Sequence, residues 1–255
     1  MSEDLSIQIN TNNLGFHYST VQMDDLAQFG ASEYTIAQVI VDWSGSVGSF
    51  SSDLIDSLRL ILDACKKHPR AENVLLRVVL FNSDFGVKEI HGFLPVNTID
   101  QVIYSKMGSP DGGTPLYDGV ADSLDSLYQY GVEMVKNQFA CNAVTFIVTD
   151  GEENCSHKTK SVSAIKAMTT KLKQNDPLES LTSILIGIND TYCQAYLTQF
   201  KDDAGIDEYK SIKDATKGNL AKLAHFVSQS ISTASVALNQ GNSNQVSQNL
   251  ASLSI

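Results

Sequence analysis

Nowhere along the 255 residues does an apolar run approach the roughly 18 residues that a membrane-crossing helix needs. The opening stretch MSEDLSIQIN has no basic region followed by an apolar core, so no signal peptide is expected. Basic residues are scarce: 18 Lys and Arg stand against 29 Asp and Glu, a formal net charge of −11. A surface of that sign repels nucleic acid phosphates and anionic membrane, so neither is expected as a partner; it is compatible with cation binding. The four cysteines, Cys65, Cys141, Cys155 and Cys193, form no CxxC pair and read as scattered structural thiols of a reduced, cytoplasmic protein. There is no GxxxxGK[ST] loop for nucleotide phosphates and no GxSxG elbow for a serine nucleophile. The 9 Tyr and 10 Phe are not interleaved with basic residues, so no RNA-stacking platform is expected.

What is present is an ordinary globular composition, 42% hydrophobic and 18% charged, on a chain long enough for a sizeable core. Four short runs rich in Val and Ile, at 36–41, 74–82, 143–149 and 181–188, are nearly continuous rather than alternating. That is the pattern of strands covered on both faces. The mixed stretch 85–96 reads as an edge or antiparallel strand, and 207–212 as a last short strand. Between them, apolar residues recur at helical spacing: Leu54, Leu58, Ile61, Leu62 and Cys65; Leu116, Val120, Leu124 and Leu127; Val162, Ile165, Met168 and Leu172; Leu220, Leu223, Val227 and Ile231. Strands alternating with helices predict a doubly wound α/β/α sandwich around a mostly parallel sheet. The domain is expected over 34–235. Residues 1–33 show no clear pattern. The Ser-, Asn- and Gln-rich residues 236–255 read as a polar, flexible tail, with a short docking helix through Val246, Leu250 and Leu253 as the alternative.

In an open α/β sheet, ligands sit beyond the carboxyl ends of the strands. The first apolar run ends in Asp42, followed by Ser44 and Ser46; the third ends in Asp150-Gly151; and the loop SPDGGTPLYDG places Thr114 after two glycines and before a helix. Alternate residues of an extended segment point the same way, so Asp42, Ser44 and Ser46 are expected to converge, with Gly45 and Gly48 curling the backbone and Gly112 and Gly113 admitting the Thr114 loop. Taken singly, each fragment has an ordinary reading: loop serines, a Thr-Pro helix cap and an Asp-Gly turn. Taken together, two carboxylates and three hydroxyls on one rim suit a hard cation such as Mg²⁺.

The segments DWSGS, GGTPLYDG and IVTDGEEN resemble the three parts of the metal-ion-dependent adhesion site of von Willebrand factor A domains, over roughly residues 34–235. The resemblance implies a mostly parallel sheet with one short antiparallel edge strand. It implies Ser44, Ser46 and Thr114 as direct ligands, and Asp42 and Asp150 as ligands acting mainly through bound water. The ion is Mg²⁺, with Mn²⁺ or Ca²⁺ open. The implied activity is non-enzymatic: a partner's Asp or Glu completes the coordination. Intracellular relatives often serve as regulatory subunits beside an ATPase or a kinase and phosphatase system, and in several members the last helix, here 216–235, shifts on ligand binding. Trp43 departs from the family pattern as a bulky residue beside Asp42. The alternative is a Mg²⁺-dependent phosphohydrolase on a similar sheet; that class places a second Asp two residues after the first, where this chain has Ser44, a poor proton-transfer group. Two further clusters read blandly. GEENCSH at 151–157 is mixed polar loop more readily than a transition-metal site, and KKHPR at 66–70 is positive charge at a helix end.

Overall fold

Strands that are apolar on both faces must be covered on both sides, and helices with one apolar stripe supply the cover. The computed structural model, which describes residues 5–174 and 177–239, has this arrangement. Its strands are β1 (Ile7–Thr11), β2 (His17–Val21), β3 (Glu33–Asp42), β4 (Val74–Asn82), β5 (Gly86–Pro95), β6 (Ala140–Thr149), β7 (Ser180–Ile188) and β8 (Glu208–Ile212). They form one eight-stranded sheet in the order β1-β2-β5-β4-β3-β6-β7-β8. From β4 to β8 the neighbours in that order are parallel. The helices are α1 (Met23–Gln28), α2 (Ser51–Lys66), α3 (Leu116–Lys136), α4 (Val162–Gln174), α5 (Gln194–Ala204) and α6 (Lys217–Asn239). Among the described residues no helix is long and apolar enough to cross a membrane.

The period of two along each strand divides the core. Ala37, Val39, Val41 and Trp43 face one layer with Phe146, Leu58, Ile61 and Val227. Ile36 and Ile40 face the other, with Leu116, Leu124, Ile165 and Leu197. Asp42 shares its parity with Ile36 and Ile40, so it ends its strand on the α3 side. Trp43 takes the opposite face and is fully buried, so it packs in the core rather than shaping the rim. Ser57 on α2 donates to the Leu220 carbonyl of α6 (3.1 Å), and Asn142 on β6 donates to the Ala234 carbonyl (2.7 Å), which fixes α6 on its layer.

The antiparallel strand expected at 85–96 is β5, paired with β4. It is not an edge, because the first residues add a hairpin, β1 and β2, beyond it. The hairpin is weakly apolar, and its anchor is polar. Asn12, buried, donates to the Asp122 carboxylate (2.8 Å) and to Ser126 (3.0 Å) on α3, while its own carbonyl accepts from the amides of Leu14 and Phe16. Beneath it, Arg77 on β4 is wholly buried between Glu89 (2.7 Å) and Asp122 (3.4 Å), with its guanidinium carbon 5.2 Å from the Phe93 ring centre. A buried guanidinium survives only with such charged and aromatic neighbours. At the other end, α6 continues through Asn239, into the segment read as a tail; residues 240–255, with Val246, Leu250 and Leu253, lie outside the described residues.

His91 on β5 is buried, its Nδ1 3.2 Å from the Gly92 carbonyl and its Nε2 3.0 Å from the Tyr104 hydroxyl. A neutral ring satisfies both: Nδ1–H donates to the carbonyl and Nε2 accepts from the phenol. Burial pushes its pKa down to about 4. A base depressed on folding contributes stability that is complete above its unfolded pKa, near 6.5, and is lost as the pH falls through that value towards 4. Across that window this group should remove roughly 3 kcal/mol. Urea unfolding of the wild type and of His91→Gln at pH 7, 5.5 and 4.5 checks this; the wild type should lose stability relative to the variant as the pH falls, and parallel pH profiles would refute it.

Candidate metal centre

At the carboxyl end of β3 the chain must turn while carrying a carboxylate on its buried side. Asp42 is 1% exposed. Its Oδ1 accepts from the Ser44 amide (2.9 Å), and its Oδ2 from the Thr149 hydroxyl at the end of β6 (2.6 Å). Burial raises its pKa to about 6, against the opposing hydrogen bonds, and the nearby Asp150 charge adds to the rise. Asp150 is raised as well, again chiefly by burial. Neither acid forms an ion pair with a Lys or Arg among the described residues.

The hydroxyls extend from these acids as a chain. Ser44, buried, lies 3.0 Å from Ser46 between hydroxyl oxygens, and Ser46 donates to Asp150 Oδ1 at 2.7 Å. The convergence of Ser44 and Ser46 does not come from strand alternation. Ser44 is extended, but Gly45–Ser49 is a turn of 3₁₀-helix, and that turn brings the two hydroxyls together. Gly48 has open space where a side chain would lie, so sterics do not demand a glycine there. They do at the neighbouring loop. Gly112 has φ +72°, and a Cβ on it would collide with the Ser83 hydroxyl and the Asp84 carboxylate; one on Gly113 would lie 2.7 Å from Asn154 Oδ1.

Thr114 is buried at the start of α3 and does not cap it: the capping position falls on Pro115, with no side-chain bond. The cap comes instead from the loop 151–157. Glu153 accepts from the amides of Tyr117 (2.7 Å), Cys155 (2.9 Å) and Ser156 (2.6 Å), and Ser156 accepts from the Asp118 amide (3.0 Å). The Asp118 carboxylate returns the contact by accepting from the amides of His157 (2.7 Å) and Thr159 (2.6 Å). The Thr114 hydroxyl is thereby released from the backbone. It faces the Asp150 loop, where a Cβ on Gly151 would lie 3.5 Å from Thr114 Oγ1. Further ties hold the loops in register: Thr114 and Asn154 exchange two hydrogen bonds (2.9 and 3.1 Å), the Gly45 amide donates to the Gly112 carbonyl (3.0 Å), and the Asp111 amide to the Trp43 carbonyl (3.1 Å).

Of the five residues expected at the site, Asp42, Ser44, Ser46 and Asp150 join in one hydrogen-bonded chain through the Ser44 amide, and Thr114 stands beside it. The supporting residues Thr149, Glu153, Asn154 and Asp118 are not foreseen by the residue pattern. The concentration of polar residues in GEENCSH hints at two of them, Glu153 and Asn154. Among the described residues, no group of three or more His, Cys, Asp or Glu side chains is placed to hold a metal. The candidate set is of another kind, hydroxyl oxygens backed by two acids. Its chemistry fits a hard divalent ion: neighbouring ligands of an octahedral Mg²⁺ at about 2.1 Å stand about 3 Å apart, near the Ser44–Ser46 spacing of 3.0 Å.

No family model matches the sequence, and comparison with curated proteins gives no match. Solved structures do share the fold. The pilus adhesin SpaC from Lactobacillus rhamnosus GG superposes with a TM-score of 0.59 at 11% identity, covering 79% of this chain and 31% of that one. The PilB minor pilin from Streptococcus sanguinis gives 0.53 at 16% identity, over 79% of this chain and 62% of that one. Proximal thread matrix protein 1 from the mussel byssus, in a structure with a zinc-occupied MIDAS motif, gives 0.51 at 17% identity, over 77% and 47%. The chain thus spans less than two thirds of each, and at these identities the likeness concerns the fold.

Because Glu153 serves three amides at once, its removal should leave α3 uncapped and the 151–157 loop untied. Glu153→Ala should lower stability by about 2 kcal/mol in urea unfolding, with Glu153→Gln less harmful. An unchanged midpoint for the alanine variant would show that the cap is dispensable.

Proposed function

We propose that this chain is a non-enzymatic binding module that holds a divalent cation at Asp42, Ser44, Ser46, Thr114 and Asp150 and captures a carboxylate of a protein partner on that ion. The observation that carries the reading is the chain Ser44–Ser46–Asp150, with its 3.0 and 2.7 Å contacts, beside two acids that have no Lys or Arg counter-ion among the described residues. A cation within that set relieves the cost of keeping two carboxylates out of water. Neutral hydroxyls next to the ion leave most of its charge unquenched, while each acid about 4 Å away attracts it by about 8 kcal/mol at an effective dielectric of 20, before desolvation. A partner Asp or Glu is then the natural remaining ligand. Mg²⁺ suits the all-oxygen set best, with Mn²⁺ or Ca²⁺ as alternatives.

The phosphohydrolase alternative is disfavoured by the hydrogen bonding of Asp42. Both of its oxygens are engaged by Ser44 and Thr149 and the group is buried, so it is poorly placed to exchange a proton with a substrate. Four free cysteines, three of them buried, suit a reducing compartment and support a cytoplasmic regulatory or assembly role, with an ATPase or a kinase and phosphatase system as the kind of machinery served.

Trp43 adjoins Asp42, and its carbonyl accepts from Asn82 (3.2 Å) and from the Asp111 amide, so its emission should report on the site. Titration of the full chain with Mg²⁺ or Mn²⁺, followed by calorimetry and by Trp43 emission, should give one site per chain. Thr114→Ala and Asp150→Ala should each weaken it about tenfold or more while circular dichroism stays unchanged. Equal isotherms for the wild type and both variants would exclude this metal site.

A further inference from the structure

The loops beyond β4 and β7, at the end of the sheet that carries Asp42 and Asp150, each bear an aromatic side chain exposed to solvent. Tyr192 is 98% exposed and Phe85 is 38% exposed. The Tyr192 ring adds nothing to the core, the Phe85 ring leaves part of its surface in water, and exposed aromatic side chains are the usual anchors of protein interfaces. Both sit on anchored backbone. Tyr192 ends a short 3₁₀ turn just beyond β7, and the next residue, Cys193, directs its thiol at the Asp150 carbonyl oxygen at 3.5 Å. Asp190, two residues earlier, is buried and accepts from the hydroxyls of Tyr209 and Ser211. Phe85 follows β4 in a turn whose Asp84 and Phe85 amides both donate to Asn82 Oδ1 at 3.0 Å, and the Ser83 hydroxyl accepts from the Gly113 amide at 2.7 Å. The loops that carry these rings therefore flank the candidate site, one tied to the Thr114 loop and one to the Asp150 loop.

We infer that these two rings read the residues on either side of the captured carboxylate, so that the preferred partner segment is extended and has the form apolar-x-acid-x-apolar. This rests on the metal-site reading above. The spacing follows from the sheet. β4 and β7 are separated by β3 and β6, hence by three inter-strand steps, about 14 Å. The ion's ligands come from the loops after β3 and β6, midway between. In an extended chain, residues two positions before and after the acid point the same way as the acid and lie about 7 Å from it, which spans the interval between the rings. The occupant is a protein segment rather than a nucleic acid, because the chain carries a net charge of −11, which repels a run of phosphates far more than a single carboxylate. Lys88, 5.7 Å from the Phe85 ring, adds a positive charge beside that ring and favours a further acid at that end.

The probe is a displayed library of eleven-residue peptides with aspartate fixed at the centre, selected on the full chain with Mg²⁺ or Mn²⁺ and eluted with EDTA. The expected result is enrichment of aromatic or large aliphatic residues two positions before and after the aspartate. A selected peptide should bind Tyr192→Ser about tenfold more weakly than wild type and Phe85→Ser several-fold more weakly, with the metal isotherm of each variant unchanged. Because Tyr192 makes so little contact with the fold, its replacement should leave the unfolding midpoint where it was. EDTA-sensitive peptides with no preference at those two positions, or with equal affinity for the wild type and Tyr192→Ser, would overturn the role of the rings and leave the metal reading standing. Binding that persists in EDTA, or no aspartate-dependent selection, would overturn the metal-dependent capture and this inference with it.

Discussion

Two carboxylates are kept largely out of water at the end of a parallel sheet, and among the described residues no Lys or Arg pairs with either of them. The consequence is visible in the direction of both pKa shifts: Asp42 and Asp150 rise because burial disfavours their charged forms, and hydrogen bonds only partly restore them. The same chain solves the same problem differently elsewhere. Asp122 is also buried and also raised, but Arg77 stands between it and Glu89 as a resident cation. The two sites share one sheet and one core layer. The interior pair is closed by a covalently attached charge, while the rim pair is surrounded by hydroxyls and reaches solvent through Ser46 and Asp150. That difference separates a structural ion network from a place where a mobile cation fits.

An ion site of neutral ligands needs a frame that does not collapse on itself, and the frame here is mostly backbone. The Gly45 amide reaches the Gly112 carbonyl, Asp111 reaches Trp43, and Ser83 and Gly113 bond to each other through backbone and side chain. Loops normally lie at the mobile end of a structure. These three are tied to one another at several points and share a border with two buried strand ends. Glu153 has a particular place in this arrangement. By capping α3 from outside, it removes the need for Thr114 to do so and leaves that hydroxyl for another role.

Much of this was legible in the residues. Continuous Val- and Ile-rich runs marked the central strands because strands covered twice have no polar face to interrupt them. Asp42, Ser44, Ser46, Thr114 and Asp150 were legible because each follows a strand end or precedes a helix, so topology alone collects them on one rim. The route to convergence was not: a 3₁₀ turn at Gly45–Ser49 replaces the extended chain that alternation suggested. The hairpin of β1 and β2 escaped because β1 is exposed over most of its length and its anchor, Asn12, acts on residues 110 and more positions away. α5 escaped because only Leu197, Phe200 and Ala204 are buried on it, too sparse a stripe to stand out among Gln, Thr and Asp. Thr149, Glu153 and Asn154 act through tertiary contacts, and no spacing rule announces a helix cap that arrives from another loop.

On the proposed function, an acidic protein would recognise an acidic group and so would have to overcome its own field. With a net charge of −11, this chain repels a carboxylate at any distance within a Debye length of about 8 Å at physiological salt. On the proposed function, a divalent ion at the rim would reverse the sign locally, and only there, because the acids around it are partly buried and its nearest ligands would be uncharged. Attraction to a carboxylate is then confined to the one spot where coordination can complete it, while the surrounding negative surface discourages less specific contact. Uncharged neighbours such as Tyr192 and Phe85 can add contact area at that spot without altering its electrostatics. In such an arrangement the cation does more than bridge two proteins. On the proposed function its presence would decide whether the rim attracts or repels, so selectivity for the partner and dependence on the ion would have a single physical origin.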